Sequence, residues 1–346
     1  MLNPTQSRLG ALNSNPHAGG IEIRVTPDVR EFAISREPAM PVIQVQASVV
    51  GVPALASGVT MFEWTATLEF NPAQCPYGIP PAYPPLRLSG VSMGGAFAIR
   101  FGEIRGGRLT IDVRARVPSG EIVAQRNDLQ IVGTNPLYMQ LTQALPSKVV
   151  RAIVWHESRG RQFLGTANGG TSGCPLYSHD RYGGVGLMQL TRPAPTHEQT
   201  WNWRANLAGG LALFEVKKGI ARAYPAKYRA SSEFTKLVAA FNAERAGQKL
   251  PPLQISIPDF TPEQVELDAL RGYNGWSANV HEFRAARDAA GKLIVDINKD
   301  GKTGSARWEQ VSATTRDNEC AAAGIAKKNR GDVDYVQNIM RANVPF

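Results

Sequence analysis

The sequence predicts a multidomain protein in which an all-β sandwich precedes a mainly α-helical domain. Two observations support this division. From about Ile21 to Gly133, apolar and polar residues alternate with the period of two typical of half-buried strands, and beyond Gly133 the apolar residues recur at helical spacing. The length of 346 residues also suits two domains of ordinary size. We expect a flexible N-terminus over residues 1–19, the β-sandwich over 20–135 and the helical domain over 136–346.

The strands of the first domain are predicted from short runs of β-branched and aromatic residues separated by Gly/Pro turns. In residues 43–49, for example, every second residue is apolar and would face the core. This spacing is typical of an antiparallel sandwich rather than of alternating strands and helices. The further predicted strands are 61–70, 96–101, 109–117 and 122–132.

The strand pattern, with Trp64 in a central strand, resembles an immunoglobulin-like domain. Only the pattern supports this resemblance, because Cys75 is the single cysteine of the region and the inter-sheet disulfide of that fold needs two. Residues 71–85 form a Pro- and Tyr-rich excursion between two strands. Exposed aromatic rings there could hold a partner, and a rigid loop without a partner is the alternative.

The second domain contains six segments with helical periodicity. Thr261 followed by Pro262 predicts a helix cap with proline at the first helical position. The predicted helices cover residues 136–145, 148–157, 203–224, 233–245, 261–273 and 332–342.

The chain carries a formal net charge of +9, which favours a polyanionic partner such as nucleic acid, an anionic membrane surface or a bacterial cell-wall polymer. Nucleic acid is disfavoured because the sequence has neither a Lys/Arg run of five nor zinc-finger spacing. A membrane span is not expected, because no run of 18 apolar residues occurs. The first residues lack the basic start and apolar core of a secretory signal, so we expect export without a Sec-type signal.

The three cysteines, Cys75, Cys174 and Cys320, are too few for a disulfide framework and too scattered for a metal site. Cys174 and Cys320 could form one bridge in an oxidising compartment, and three buried thiols are the alternative. A weak calcium candidate is Asp296, Asn298 and Asp300, the first half of an EF-hand loop. Its twelfth position is an arginine instead of a bidentate glutamate, so an ordinary Asx-rich turn is the default interpretation.

Glu157 is the candidate catalytic acid. It follows the apolar run of residues 149–155, whose spacing suits an amphipathic helix, so its carboxyl should lie at a helix end beside buried surface. Partial burial there should raise the pKa of Glu157 and keep it protonated. A protonated carboxyl near neutral pH is what glycosidic bond cleavage requires to protonate the leaving oxygen.

Four short motifs in order resemble those of soluble lytic transglycosylases and goose-type lysozymes, which cleave peptidoglycan between N-acetylmuramic acid and N-acetylglucosamine. They are Glu157-Ser158, Gly-Leu-Met-Gln at 186–189, Asn-Leu-Ala-Gly-Gly at 206–210 and Tyr-Asn-Gly at 273–275. The resemblance covers residues 140 to 345 and implies a lysozyme-like fold that needs no cofactor. Residues 277–331 exceed the corresponding stretch of compact family members, and they could cap the cleft or bind wall peptide.

The resemblance implies a role for each matching residue. Glu157 matches the catalytic acid, Asp180 matches an acidic residue of goose-type lysozymes, and Tyr335 resembles the tyrosine of the last helix. An Asp180 that activates water implies hydrolysis, whereas a lytic transglycosylase needs no second carboxylate and forms a 1,6-anhydro product. Asp180 could instead be a turn residue. The expected substrate-binding residues are Met188, Gln189, Tyr273 and Asn274, with core filling as the alternative for Met188.

The leading hypothesis is a muramidase that acts on glycan strands in the periplasm or cell wall of a target bacterium. Such a protein would be an antibacterial secreted effector, with an immunity protein and a secretion-machine component as partners, or a phage-derived enzyme. The alternative from another class is a non-catalytic wall-binding protein that retains the fold.

Overall fold

The computed structural model describes residues 19–51, 61–76, 83–117, 120–145, 147–178, 183–274, 280–322, 324 and 331–346. Strands make up 31% and helices 33%, so the protein has a mixed architecture of sheets and helices. Two compact units are present. Unit 1 comprises the described residues of Met1–Gln140 and Gly160–Asn206, and unit 2 those of Leu141–Arg159 and Leu207–Phe346. The domain limits expected from the sequence stay a prediction.

Unit 1 contains nine strands that form two sheets. The smaller sheet has the order β1-β3-β6 and the larger has the order β2-β8-β7-β4-β5, with β9 paired to the end of β8. All pairs are antiparallel except β2 with β8. The strands are β1 Gly20–Thr26, β2 Glu31–Ala33, β3 Ile43–Val50, β4 Met61–Glu69, β5 Leu86–Met93, β6 Ala96–Ile99, β7 Gly107–Val117, β8 Gly120–Thr134 and β9 Thr171–Ser172.

Both sheets of unit 1 contribute to one apolar core. Ile43 and Ile99 from the smaller sheet and Ile111 and Ile131 from the larger are each 0% exposed. The alternation of buried and exposed residues along β3 follows the predicted pattern as far as Ala47. The five strands predicted from the sequence are confirmed. Four strands of unit 1, β1, β2, β5 and β9, were not predicted, and the prolines before β5 had suggested a loop there.

A disulfide joins Cys75 to Cys174, which are 5.6 Å apart at their Cα atoms. Both alternatives considered from the sequence are therefore wrong, because Cys174 pairs with Cys75 and not with Cys320, and only Cys320 is a buried thiol. Spacing along the chain could not reveal the pairing, since the bridge depends on which loops the sheets bring together. Here it ties the turn after β4 to the segment after β9.

The helices lie where the periodicity predicts them, with two additions. Ser147 caps α2 by accepting a hydrogen bond from Val150 N–H, and Thr261 with Gln264 forms a capping box at α6. The sequence analysis missed the short helices α3 and α7. The helices are α1 Tyr138–Ala144, α2 Lys148–Ser158, α3 His197–Trp201, α4 Trp203–Arg229, α5 Ser232–Gly247, α6 Pro262–Tyr273, α7 Ala313–Ala322 and α8 Tyr335–Arg341. No described helix is both long and apolar enough to cross a bilayer.

Unit 2 also contains five short strands, which the prediction of a mainly helical domain omits. They form the sheets β10-β13-β12 and β11-β14. Four of them lie in the long segment of residues 277–331, whose composition gave no clear strand signal. The strands are β10 Gln254–Ser256, β11 Phe283–Ala285, β12 Val295–Ile297, β13 Thr303–Ala306 and β14 Trp308–Gln310.

Candidate active site

Glu157 occupies the last turn of α2, as the sequence predicts. The helix buries the face that carries Ile153 and Val154, and it ends at Arg159, whose left-handed backbone (φ 56°) closes the final turn onto Trp155 O at 3.1 Å. The side chain of Glu157 is half-buried. This position gives a carboxyl that is both fixed by a helix end and reachable from solvent.

Two tyrosines lie beside this carboxyl. The hydroxyl of Tyr335, the first residue of α8, donates a hydrogen bond to Glu157 Oε1 at 2.6 Å. Burial, and then the charge of Glu157, raises the pKa of Tyr335 well above its ordinary value. The same two causes raise the pKa of Tyr273, at the end of α6. Both phenols therefore stay neutral near pH 7, so each can donate a hydrogen bond.

The backbone carbonyls of Asp332 and Val333, just before α8, are held by donors from other elements. Asn274 Nδ2 donates to Asp332 O at 2.7 Å, and Arg271 Nη1 donates to the same oxygen at 3.0 Å. Val333 O accepts from Arg271 Nη2 at 3.1 Å and from Arg316 Nη1 at 3.0 Å. These bonds fix the start of α8 and therefore the position of the Tyr335 ring.

The two arginines share one buried carboxylate. Glu282 Oε2 accepts from Arg271 Nε at 2.9 Å and from Arg316 Nη2 at 2.8 Å, and the side chains are at most 2% exposed. Gln310 Nε2 donates to the other oxygen of Glu282 at 2.9 Å. Both guanidinium groups therefore bind the Glu282 carboxylate and also donate to the carbonyls before α8. We refer to Arg271, Glu282 and Arg316 as the charged triad.

Asp332 and His156 complete the surroundings of Tyr335. The Asp332 carboxylate accepts hydrogen bonds from Asp334 N–H and Asn338 Nδ2, both at 2.9 Å. His156 packs edge-on against the Tyr335 ring with centroids 5.1 Å apart. Burial lowers the pKa of His156, although Asp332 opposes that effect, so the imidazole is neutral near pH 7. A packing role for His156 follows.

The Gly-Leu-Met-Gln motif forms a tight turn in unit 1. Leu187 N–H donates to Gln162 Oε1 at 3.1 Å, and Met188 N–H donates to Asn206 Oδ1 at 3.0 Å. Gly186 has φ 73°, and a Cβ there would lie 2.3 Å from Gln162 Oε1, so only glycine fits. Met188 is fully buried, and Gln189 donates its side-chain amide to Gly186 O at 2.8 Å.

The structure thus brings together part of the predicted site. Glu157, Tyr273 and Tyr335 form one cluster from three helices, and Asn274 supports it by holding Asp332 O. Met188 and Gln189 belong to the other unit, and Asp180 lies outside the described residues. The charged triad was not predicted. No sequence signal could have found it, because its members are 11 and 34 residues apart and pair only through the fold.

The calcium candidate is a hairpin turn between β12 and β13. The Asp296 carboxylate pairs with the Arg307 guanidinium, and Asp300 Oδ1 accepts hydrogen bonds from the backbone of Lys302 and Thr303 at 2.9 Å. Asn298 Nδ2 donates to Thr303 Oγ1 at 2.7 Å. These contacts are those of an Asx-rich turn. Among the described residues, no group of three or more His, Cys, Asp or Glu could hold a metal ion.

In comparisons with known proteins, no protein family, characterised protein or solved structure matches this chain. The site is therefore defined by its own chemistry: one half-buried carboxyl, two neutral phenols and a buried charged support.

Proposed function

We propose that the protein is a muramidase that cleaves the β-1,4 bond between N-acetylmuramic acid and N-acetylglucosamine, with Glu157 as the general acid. The observation that supports this proposal is the 2.6 Å hydrogen bond from Tyr335 to Glu157, with Tyr273 beside the same carboxyl. Two tyrosines that are far from Glu157 in the sequence meet around its carboxyl. Such convergence is expected of a reaction site and is difficult to explain as helix packing alone.

In the proposed reaction, Glu157 donates its proton to the bridging oxygen as the glycosidic bond breaks. The product then depends on the nucleophile. With Asp180 as base, water attacks the sugar carbon and leaves a reducing muramic acid. Without a second carboxylate, the Glu157 carboxylate takes the proton of the muramic acid's own 6-hydroxyl, which closes a 1,6-anhydro ring. The Tyr335 hydroxyl would hold the carboxyl in one orientation through both steps.

The place of action that we propose is the periplasm or cell wall of a target bacterium. The Cys75–Cys174 disulfide supports this, because disulfides persist in oxidising compartments outside the cytoplasm. The net charge of +9 favours attraction to an anionic wall. In this proposal the protein is a secreted antibacterial effector with an immunity protein, or a phage-derived enzyme. The two sheets of unit 1, which share one apolar core, would form its immunoglobulin-like module.

The deciding experiment incubates the protein with purified peptidoglycan and follows turbidity and released muropeptides. Wild-type protein should clear the suspension, and Glu157→Gln should not. Glu263→Gln is the matched control, because Glu263 is exposed on the first turn of α6. A wild-type protein with no activity on any peptidoglycan, or full activity in Glu157→Gln, would overturn the proposal.

Mass spectrometry of the released muropeptides distinguishes the two reactions. Reducing-end muramic acid establishes hydrolysis, whereas a product lighter by one water establishes the anhydro reaction. If hydrolysis is found, Asp180→Asn should lose it, and full activity in that variant excludes Asp180 as the base. Tyr335→Phe removes a donor to the Glu157 carboxylate, so activity should persist to higher pH than in wild type.

A further inference from the structure

A polar cleft of about 310 Å³ lies within unit 1 beside the Cys75–Cys174 disulfide. Its walls come from the turn after β4, the start of β7, the middle of β8 and the segment after β9. The volume is at the small end for ligand sites and suits one sugar ring or the end of a short peptide. None of the residues proposed for muramyl cleavage lines it.

One wall of the cleft is a β-bulge. Leu109 of β7 pairs with Leu129 of β8, and Ile111 pairs with Arg126, so Asn127 and Asp128 together oppose one residue of β7. A bulge interrupts the ladder and turns its side chains out of the regular alternation. Both bulged residues line the cleft. The local irregularity of β8 is therefore what presents these polar groups there.

The shape of the cleft is fixed by close packing as well as by the disulfide. A Cβ on Gly107 would lie 2.3 Å from Glu69 O, and a Cβ on Gly173 would lie 2.0 Å from Gln130 Nε2. Gly107 also has φ 134°, which other residues rarely adopt. A concavity held by one required glycine, Gly107, and a covalent bridge is preorganised, which reduces the entropy cost of binding.

Arg108, an exposed residue, is a cation that lines the cleft. Asp128 already pairs with Arg126 at 3.0 Å and with Arg30 at 3.4 Å. Within the part of the chain that the structure describes, Arg108 makes no ion pair, even with its cross-strand neighbour Glu69. The side-chain amide of Gln130, opposite Arg108 on β8, likewise makes no hydrogen bond among the described residues.

We propose that this cleft binds the carboxylate of a small ligand, either the C-terminus of a short peptide or the acid group of a sugar. A planar guanidinium matches a carboxylate with two parallel hydrogen bonds, and the Gln130 amide provides a further donor. The disulfide and the ring of Phe70 supply an apolar wall for the remainder of the ligand. This inference does not depend on the reaction proposed for Glu157.

The test is calorimetric titration of the full chain with two matched pairs of probes. N-acetylmuramic acid is compared with N-acetylglucosamine, which lacks the lactyl carboxylate, and N-acetyl-D-alanyl-D-alanine is compared with its C-terminal amide. At least one acid should bind with a Kd near or below about 1 mM, and its neutral counterpart should bind about 10- to 100-fold more weakly. The pair that responds identifies the source of the carboxylate.

Arg108→Gln should weaken binding of the acid about 10- to 100-fold and leave the neutral probe unchanged. Arg116→Gln is the matched control, since Arg116 is exposed on the same strand and lies outside the cleft. Circular dichroism confirms that both variants fold. Binding of neither acid, equal binding of acid and neutral probes, or an equal loss in both variants would overturn the proposal. Peptidoglycan cleavage by Glu157 is measured separately, and either result for it leaves this test intact.

Discussion

Two buried regions, one in each unit, differ in chemistry. In unit 1, aliphatic residues such as Ile111 and Ile131 fill the space between two sheets. In unit 2, beside the candidate active site, Arg271, Glu282 and Arg316 are equally buried but charged. An apolar core distributes its stabilisation over many contacts, whereas each member of a buried ion cluster depends on its partners. The comparison suggests that unit 2 retains the costly arrangement because it positions Tyr335.

The largest effect is expected on removing the charge of Glu282. Glu282→Gln removes the carboxylate that two buried guanidinium groups share, which should lower the free energy of unfolding by about 3–5 kcal/mol. Urea unfolding followed by circular dichroism measures the change. The control is Glu309→Gln, which breaks the partly exposed Arg284–Glu309 pair and should cost less than about 1 kcal/mol. Equal losses in the two variants would show that burial of the triad has no special importance.

Alkaline pH should lower the free energy of unfolding through the two tyrosines beside Glu157. The pKa values of Tyr273 and Tyr335 are raised in the folded protein, so above about pH 10 the unfolded chain loses these protons first. Stability is therefore fully present below that pH and falls by about 1.4 kcal/mol per pH unit for each tyrosine as the pH rises further. Burial raises the pKa of Tyr177 and Tyr224 as well, so they contribute a background.

Tyr335→Phe isolates one contribution to this slope. In urea unfolding between pH 9 and pH 11, the free energy of unfolding should decline less steeply with pH in the variant than in wild type. The difference in slope is the contribution of one tyrosine proton. An unchanged slope would mean that Tyr335 ionises in the folded protein as readily as in the unfolded chain, and the hydrogen-bonded, neutral phenol described above would be incorrect.

The parts of the fold that could be predicted are those that a local sequence pattern sets. Alternation is a local property, so residues 43–49 could be assigned to a strand with its buried face before the structure was known. Helix ends with local caps, such as Thr261, were predictable for the same reason. The strands β10–β14 are three or four residues long, too short for any period to develop, and their pairing is set by tertiary contacts.

Site residues that belong to a short sequence motif could be predicted. Site residues that only the fold brings together could not. Glu157 and Tyr273 were identified from short motifs, and they do meet in the structure. Asn274 donates its amide to Asp332 O, a contact that the motif did not predict, and its role in substrate binding stays a prediction. Glu282 and Arg316 look like ordinary surface charges in the sequence, and only the fold brings them together with Arg271 of α6.

A conservative change in the apolar core should have a smaller effect than the loss of Glu282. Ile111→Val removes one methylene from a fully buried side chain, which should cost about 1 kcal/mol. The measurement is the same urea titration, with Val123→Ala as the control because Val123 is 64% exposed. A loss as large as that of Glu282→Gln would mean that the two cores are equally intolerant of change, and the comparison drawn above would fail.

The smallest effect is expected for Tyr177→Phe, the counterpart of Tyr335→Phe in unit 1. Tyr177 is 1% exposed beside Cys75, and its hydroxyl has no hydrogen-bond partner among the described residues. Removing that hydroxyl breaks no described hydrogen bond and removes the cost of burying an unpaired polar group. The free energy of unfolding should therefore stay within about 0.5 kcal/mol of wild type or rise. Tyr335→Phe, which loses a bond to a carboxylate, should cost about 1.5–3 kcal/mol. Equal costs would show that both hydroxyls serve only to fill space, and that the Glu157 contact does not distinguish unit 2.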